Sequence, residues 1–223
     1  MKRAWRRVAP WALRFVVGWY AFWILSLLLF RWITPPTTGV HLQRRVESWF
    51  RKGPYEKRFT PVPLASISPH LRHSIIAAED TRFYSHFGLD LGAMADAARD
   101  ATGSRRRFRG ASTLTQQLIK NLFFTTHPNP VRKAVEWTLA PVAEVLLGKE
   151  RILELYLNLI EWGPGVYGAE AASRYHYHTP AAVLSREQAA RMAACVPAPR
   201  RRRPAAMNRY AAIIENRMRQ LGY

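Results

Sequence analysis

The hydrophobic pattern divides the chain in two. Residues 15–30, FVVGWYAFWILSLLLF, contain no charge, and Trp11, Ala12, Leu13, Trp32 and Ile33 extend the apolar span on both sides of Arg14 and Arg31. About 20 apolar residues suffice to cross the hydrocarbon core of a bilayer. Arginines near the ends of such a helix can snorkel to the headgroups, and tryptophans at its ends suit the interfaces. A cleaved leader is the competing reading. The apolar run is long for one, and the following TPPTTGV offers no small-x-small cleavage site. We therefore expect one transmembrane helix. The cluster Lys2, Arg3, Arg6 and Arg7 predicts a cytoplasmic N-terminus, with residues 34–223 on the other side of the membrane.

Beyond the anchor the apolar residues recur with helical spacing. Thr34–Thr38 reads as a Pro/Thr linker, residues 41–52 as a short basic amphipathic helix, and residues 53–70, with four prolines, as extended chain. Helices are predicted over 69–80, 90–101 and 113–124. The last starts at a capping box made by Thr113 and Gln116. Asn129 followed by Pro130 fits the N-cap and first position of another helix. Ile152, Leu155, Tyr156 and Leu159 mark a helix over 149–160, ended by the turn EWGPGVYG. Ala169–Tyr175, a helix after the Ser185/Gln188 capping box, and a last helix capped by Asn208 complete the list. No run alternates as a strand and no repeat is visible, so the expected class is all-α, a single helical domain.

Charge changes the picture of the surroundings. The chain has 34 Lys and Arg against 15 Asp and Glu, a net charge of +19. The first 33 residues hold six of those cations and no acid, so the remainder is itself basic. Such a surface attracts anionic lipid or an anionic substrate. Nucleic acid is excluded as a partner by the compartment that the anchor implies. The one cysteine, Cys195, sits in the apolar run AARMAACVP and reads as a buried structural residue.

Several polar residues interrupt otherwise apolar helices. Glu79 and Asp80 end the run IIAAED. A carboxyl against apolar walls has its charged form disfavoured, which suits proton transfer; a helix-end salt bridge to Arg82 is the plain alternative. Thr113, Gln117 and Lys120 share a helix face with Gln116 beside them, and amides with a lysine can bind hydroxyls and a phosphate. Arg132 and Lys133 lie in the first turn of the next helix, with Glu136 on the same face. Exposed N–H groups and two cations can grip an anion, and Glu136 can position them. The cluster RRRFR at 105–109 is either a solvated loop or a contact with headgroups or phosphate. His176 and His178 form an HxH pair without a third ligand in register, which argues against zinc.

Taken together, these stretches resemble the peptidoglycan glycosyltransferase family, the polymerase module shared by class A penicillin-binding proteins and the monofunctional biosynthetic transglycosylases. The blocks EDTRFYSHFG (79–88), GASTLTQQLIKN (110–121), RKAVE (132–136), RILELYLNLIEWGPGVYGAEAASRY (151–175) and LSREQAARMAACVPAP (184–199) match in order. No penicillin-binding domain follows, so the chain looks like the monofunctional form.

The resemblance implies a lysozyme-like helical domain with a membrane-facing lobe, preceded by the transmembrane helix. The expected division is anchor 1–33, membrane-proximal segment 34–59 and glycosyltransferase domain 60–223. It implies lipid II and the nascent glycan strand as substrates, membrane lipid as surroundings, and cell-wall synthesis or division proteins as partners. Localisation would be the bacterial inner membrane. Glu79 would be the general base and Glu136 the second catalytic carboxylate, stabilising the departing diphosphate through cations or a divalent ion (Mg or Mn). Asp80, Phe83, His86, Thr113, Gln116, Gln117, Lys120, Arg132 and Lys133 would bind substrate. Pro141 departs from the pattern and should kink its helix; His176 and His178 stand where an aromatic and a glycine are expected. A glycan-cleaving lysozyme-type enzyme and a non-catalytic glycan-binding scaffold are the alternatives. Hydrolysis would give the cations around Glu136 no diphosphate to neutralise, and a scaffold would need neither glutamate.

Overall fold

A computed structural model describes residues 2–50, 54–102 and 112–223. The basic cluster 105–109 and the start of the second matching block lie outside these residues.

Helix α1 (Lys2–Phe30) contains a 21-residue stretch, Pro10–Phe30, long and apolar enough to span a membrane. Among the described residues, one stripe of its C-terminal half touches the rest of the protein. Trp23 and Leu27 are buried there. The Trp23 ring stands edge-on to Phe124 at 5.3 Å and close to Phe123, and Tyr20 hydrogen-bonds Thr138 through their hydroxyls at 2.9 Å. Arg151 donates to the carbonyl of Phe30 at the helix end. The other faces of α1, including Trp11, Phe15, Trp19, Phe22 and Leu25, are exposed.

Helix α2 (Gly39–Trp49) is capped by Thr38. It buries Val40 and His41 inward, and His41 Nε2 lies 3.0 Å from the carbonyl oxygen of Leu159. Leu42, Val46, Trp49 and Phe50, at i, i+4, i+7 and i+8, are exposed on the opposite face. The amphipathic helix predicted from the sequence thus ends before Lys52. The Pro-rich segment expected to be extended is so over most of residues 54–63, but it turns through a short 3-10 helix at Leu64–Ser66 before α3 begins at Pro69. Asn158 clamps it through two bonds to the backbone of Val62, 2.9 Å to the N–H and 2.8 Å to the carbonyl.

The body is built from α3 (Pro69–Glu79), α4 (Leu91–Thr102), α5 (Leu114–Phe123), α6 (Pro130–Leu159), α7 (Ala169–Tyr177), α8 (Arg186–Cys195) and α9 (Asn208–Gln220). Helix α5 lies along α6, burying Leu118, Ile119 and Leu122, each worth about 1.5–3 kcal/mol of apolar burial. Helices α3, α8 and α9 form a second packed group around Leu71, Ile75, Ile214 and Met218. Cys195 is buried, and burial pushes its thiol up to about 11, as suits an inert packing residue. The capping boxes at Thr113/Gln116 and Ser185/Gln188 form as their spacing predicts, and Asn129 Oδ1 accepts from the N–H groups of Val131 and Arg132. Asn208 does not cap α9; it is the first residue of the helix, and the capping position is Met207, without a side-chain bond.

Three features depart from the sequence reading. First, the expected helices at 130 and 149 are one element broken at Gly148, whose φ of 73° and ψ of 164° lie outside helical space. Pro141 lies within the helical part of this element, and the non-helical backbone falls seven residues later, at Gly148, where a residue without a Cβ makes the positive φ inexpensive. Second, a small sheet exists: β1 (Arg58–Phe59) runs parallel to β3 (Val166–Tyr167), which is antiparallel to β2 (Glu161–Gly163). Strands of two or three residues are too short for alternation to register. The turn requires Gly165, at φ 74°, because a Cβ there would lie 2.3 Å from the carbonyl oxygen of Glu56. Third, His178 ends α7 in the left-handed region, φ 56° and ψ 29°. That is the conformation in which the expected glycine is favoured, and histidine tolerates it at some cost.

Candidate active site

Glu79 is the last residue of α3, a helix whose other side is committed to the core through Leu71, Ile75 and Ile76. Its carboxylate looks into a cleft of about 850 Å³ bounded by α4, the start of α5, the end of α8 and α9. Ser112, Thr113, Arg202, Tyr210 and Arg217 are among the lining residues. Burial raises Glu79 above the usual carboxylate range. A hydrogen bond from Gln117 and the charges of Lys120 and Arg202 oppose that rise, and Asp80 adds to it. The bond is direct: Gln117 Nε2 donates to Glu79 Oε2 at 2.9 Å. Gln117 Oε1 in turn accepts from the Tyr156 hydroxyl at 2.9 Å.

Asp80 borders the same cleft, but its oxygens are committed. His86 Nε2 is 3.0 Å from both, and the backbone N–H of Leu114, at the start of α5, donates to Oδ2 at 2.9 Å. Asp80 therefore joins the end of α3 to the N-terminus of α5, where the helix dipole favours a negative charge. Phe83 is fully buried and meets no solvent; it supports the site from beneath, under the Lys149 ammonium at 4.6 Å from its ring centre. Lys149 also donates to the carbonyl of His86 at 2.7 Å and to Glu144 at 2.8 Å, and Glu144 accepts from the Thr115 hydroxyl at 2.6 Å. These two charges, Glu144 buried and Lys149 partly so, straddle the break at Gly148 and tie it to the Asp80–His86 loop.

The second carboxylate lies in a cation-rich pocket. Glu136 is 2% exposed. Lys133 Nζ is 3.2 Å from its Oε2, and Arg132 Nε is 3.3 Å from Oε1 without the alignment of a hydrogen bond. Lys133 Nζ also donates to Ser112 Oγ at 2.8 Å and, more weakly, to Gln116 Oε1 at 3.4 Å. Ser112 lines the cleft, so this cluster reaches it through Lys133. Thr113 lines the cleft too, though its hydroxyl donates to the carbonyl of Gly88 at 2.6 Å. Gln116 is fully buried in the capping box. Its Nε2, Arg132 Nε and Glu136 Oε1 are buried without a hydrogen-bond partner, three polar atoms in one neighbourhood that an incoming group could satisfy.

Lys120 joins the two halves. It is half-buried on α5 and makes no hydrogen bond within the described residues. Burial lowers its pKa, the Glu136 and Glu79 carboxylates raise it, and Arg132 and Lys133 lower it. A single ammonium is thus in electrostatic reach of both carboxylates and of both neighbouring cations. The arrangement offers a desolvated carboxyl that can take a proton on one side and, on the other, three cations that can neutralise an anion.

Of the residues singled out in the sequence, Glu79, Asp80, Gln117, Thr113, Lys120, Arg132, Lys133 and Glu136 converge here directly, and Phe83, His86 and Gln116 stand behind them. Sequence reasoning missed Tyr156, which its helical spacing disguises as an ordinary core residue. It missed Glu144 and Lys149 because nothing local marks a pair as buried. It missed Arg202 because the run RRRR at 200–203 carries no sign of which guanidinium turns inward. His176 Nε2 lies near the carbonyl of Trp162 at 3.3 Å, and among the described residues no group of three or more His, Cys, Asp or Glu could hold a metal.

A family model described as Transglycosylase matches residues 45–221. A biosynthetic peptidoglycan transglycosylase of Ectopseudomonas mendocina is 43% identical over 210 residues, covering 90% of this chain and 86% of the relative. Those of Pseudomonas putida and Pseudomonas fluorescens are 42% and 44% identical, covering 97% and 93% of this chain and 92% and 88% of theirs. With most of its length so matched, and with its helical body carrying the lysozyme-like architecture, the chain belongs to the transglycosylase family.

Proposed function

We propose that this chain polymerises peptidoglycan glycan strands, transferring the growing strand from undecaprenyl diphosphate to the GlcNAc 4-hydroxyl of lipid II. The observation that carries this reading is the pairing of the partly buried Glu79 with the Lys120–Arg132–Lys133–Glu136 cluster across one site.

Glu79 takes the proton of the attacking 4-hydroxyl. Its raised pKa makes it a stronger base than a solvated carboxylate while Gln117, Lys120 and Arg202 keep it available in ionised form. The hydroxyl oxygen attacks C1 of the donor sugar as the bond to the diphosphate breaks. Departure from an α linkage leaves a β-1,4 bond, an inversion. Lys120, Arg132 and Lys133 neutralise the charge that builds on the leaving diphosphate, and Glu136 holds Arg132 and Lys133 in place.

The residues around Glu136 do not fit a divalent cation: they supply one carboxylate, already in contact with two cations. Oxygen-rich sites suit Mg and Mn.

Helix α1 is read as the anchor in the inner membrane, with residues 1–33 as cytoplasmic tail and span, 34–59 as the membrane-proximal segment and 60–223 as the catalytic domain outside the cytoplasm. The apolar stripe Leu42–Val46–Trp49–Phe50 on α2 supports a body resting against lipid. Cell-wall synthesis and division proteins are proposed partners.

The test is the purified full chain with lipid II. Glycan polymer and released undecaprenyl diphosphate are expected, and Glu79→Gln should abolish both while circular dichroism and the thermal midpoint stay unchanged. Full polymerisation by Glu79→Gln would remove the base assignment. Shortening of preformed glycan would point to a hydrolase.

A further inference from the structure

We propose that Tyr156 is a positioning residue for the base: its hydroxyl holds the Gln117 side-chain amide so that the NH2 end faces Glu79. This rests on the reading of Glu79 as the base, and adds a residue to it that substrate does not touch.

A glutamine amide has two ends of nearly equal size and opposite hydrogen-bonding character. Which end meets Glu79 decides the protonation state that is favoured. An NH2 group donates to a carboxylate and stabilises it. A carbonyl turned the same way would accept from a carboxylic acid, which cannot take the substrate proton. The choice is made on the far side of the amide, where Tyr156 donates to Gln117 Oε1 at 2.9 Å and leaves Nε2 directed at Glu79 Oε2, also at 2.9 Å.

Tyr156 is suited to that task. It is fully buried on α6 after the break at Gly148, and its ring is part of the main hydrophobic core. Burial, then the charges of Glu79 and Asp80, raise its pKa well above the ordinary value, so the proton it donates is always present. The other charged groups acting on Glu79 are Asp80 on its own segment, Lys120 from α5 and Arg202 from the stretch after α8. Neither cation orients the amide. Arg202 donates to the carbonyl of Ala194, and no bond joins Lys120 to Gln117. Tyr156 therefore sets the direction of the hydrogen bond that counters the desolvation of the base.

The experiment is the pH dependence of kcat/KM for lipid II polymerisation by the full chain, comparing wild type, Tyr156→Phe, Gln117→Met and the double variant. Tyr156→Phe should lower kcat about 3–10-fold, the scale of one hydrogen bond, and leave KM within about twofold. Its acid limb should move to higher pH. Gln117→Met should move the limb at least as far, and adding Tyr156→Phe to it should move the limb no further. The folded fraction of each variant, read by circular dichroism at every pH, is divided out of its rate, so that acid instability does not imitate a moved limb. An acid limb of Tyr156→Phe that coincides with wild type overturns the inference, as does an equal shift in the Gln117→Met background. Glu79→Gln in the same series separates the two readings. If that variant is active, the base assignment fails. If it is inactive and the Tyr156→Phe limb is unmoved, only the role of Tyr156 fails.

Discussion

Lys149→Met removes an ammonium whose contacts hold three segments together. In the wild type, Lys149 Nζ bonds Glu144 at 2.8 Å and the His86 carbonyl at 2.7 Å, and it lies over the Phe83 ring. The Glu144 side chain is 3% exposed and that of Lys149 20%, so the pair is shielded from water. Methionine fills nearly the same volume, leaving Glu144 a buried carboxylate with only the Thr115 hydroxyl as partner. Breaking a buried pair by removing one member costs about 3–5 kcal/mol, because the remaining charge keeps its desolvation penalty. At roughly 2–4 °C per kcal/mol for a chain of this size, the thermal midpoint should fall by roughly 6–20 °C. The assay is thermal unfolding of the purified chain in detergent, followed by circular dichroism. Adding Glu144→Gln should recover a substantial part of the loss, since the stranded charge goes with it, although the His86 carbonyl remains without its donor. A Lys149→Met midpoint within 2 °C of wild type, or a double variant that is less stable than Lys149→Met, would refute the claim that this pair braces the break at Gly148.

Two further outcomes follow from the same electrostatics. Lys120→Met should lower kcat/KM for lipid II about 10²-fold, the scale of one lost charge-stabilising donor, and should move the acid limb to higher pH because Lys120 helps keep Glu79 ionised; steady-state kinetics across pH reads both. His41, buried beside Phe59 and Tyr167, is lowered to about 4 by desolvation, against the pull of the Leu159 carbonyl. A group whose folded pKa is depressed contributes stability that is complete above its unfolded value and lost as pH falls. Unfolding free energy should therefore drop by about 3 kcal/mol between pH 6.5 and 4, and His41→Gln should flatten that part of the profile.

Where a local rule governs, the sequence reading and the structure agree, apart from the cap expected at Asn208, which is instead the first residue of α9. Helix starts at Thr113, Asn129 and Ser185 are decided within four residues by side chains that reach the first N–H groups, and all three form. The anchor is legible for the same reason, since length and lack of charge are local properties. What failed depends on contacts made at a distance. The break at Gly148, where a positive φ redirects the chain, lies between Glu144 and Lys149, whose ties to each other and to Thr115 no local pattern announces. Strand β1 exists because Gly165 admits the Glu56 carbonyl from a segment more than 100 residues earlier. At the site, the residue types were readable as chemistry, but their division was not. Asp80, Thr113 and Gln116 share the polar signature of Glu79 and Gln117, yet both Asp80 oxygens, the Thr113 hydroxyl and Gln116 Oε1 are occupied by His86, by backbone groups and by the capping box.

That division explains how one small domain keeps a base and an anion site close together without either cancelling the other. A bare pair of buried carboxylates near three cations would collapse into ion pairs, leaving no base. Here Glu136 absorbs Arg132 and Lys133, while Glu79 has an amide, not a cation, as its hydrogen-bonding partner. A neutral donor opposes the pKa rise less than an ion pair would, so Glu79 keeps the elevated basicity that proton transfer requires. Lys120 feels both carboxylates and, among the described residues, is bonded to neither, so its ammonium donors face no protein partner there. In the proposed reaction, negative charge arrives on the Lys120 side as the sugar–diphosphate bond breaks, while Glu79 loses its own charge to the incoming proton. The ammonium then serves the side that needs it, and the field between the two carboxylates follows the reaction without any large movement of the fold.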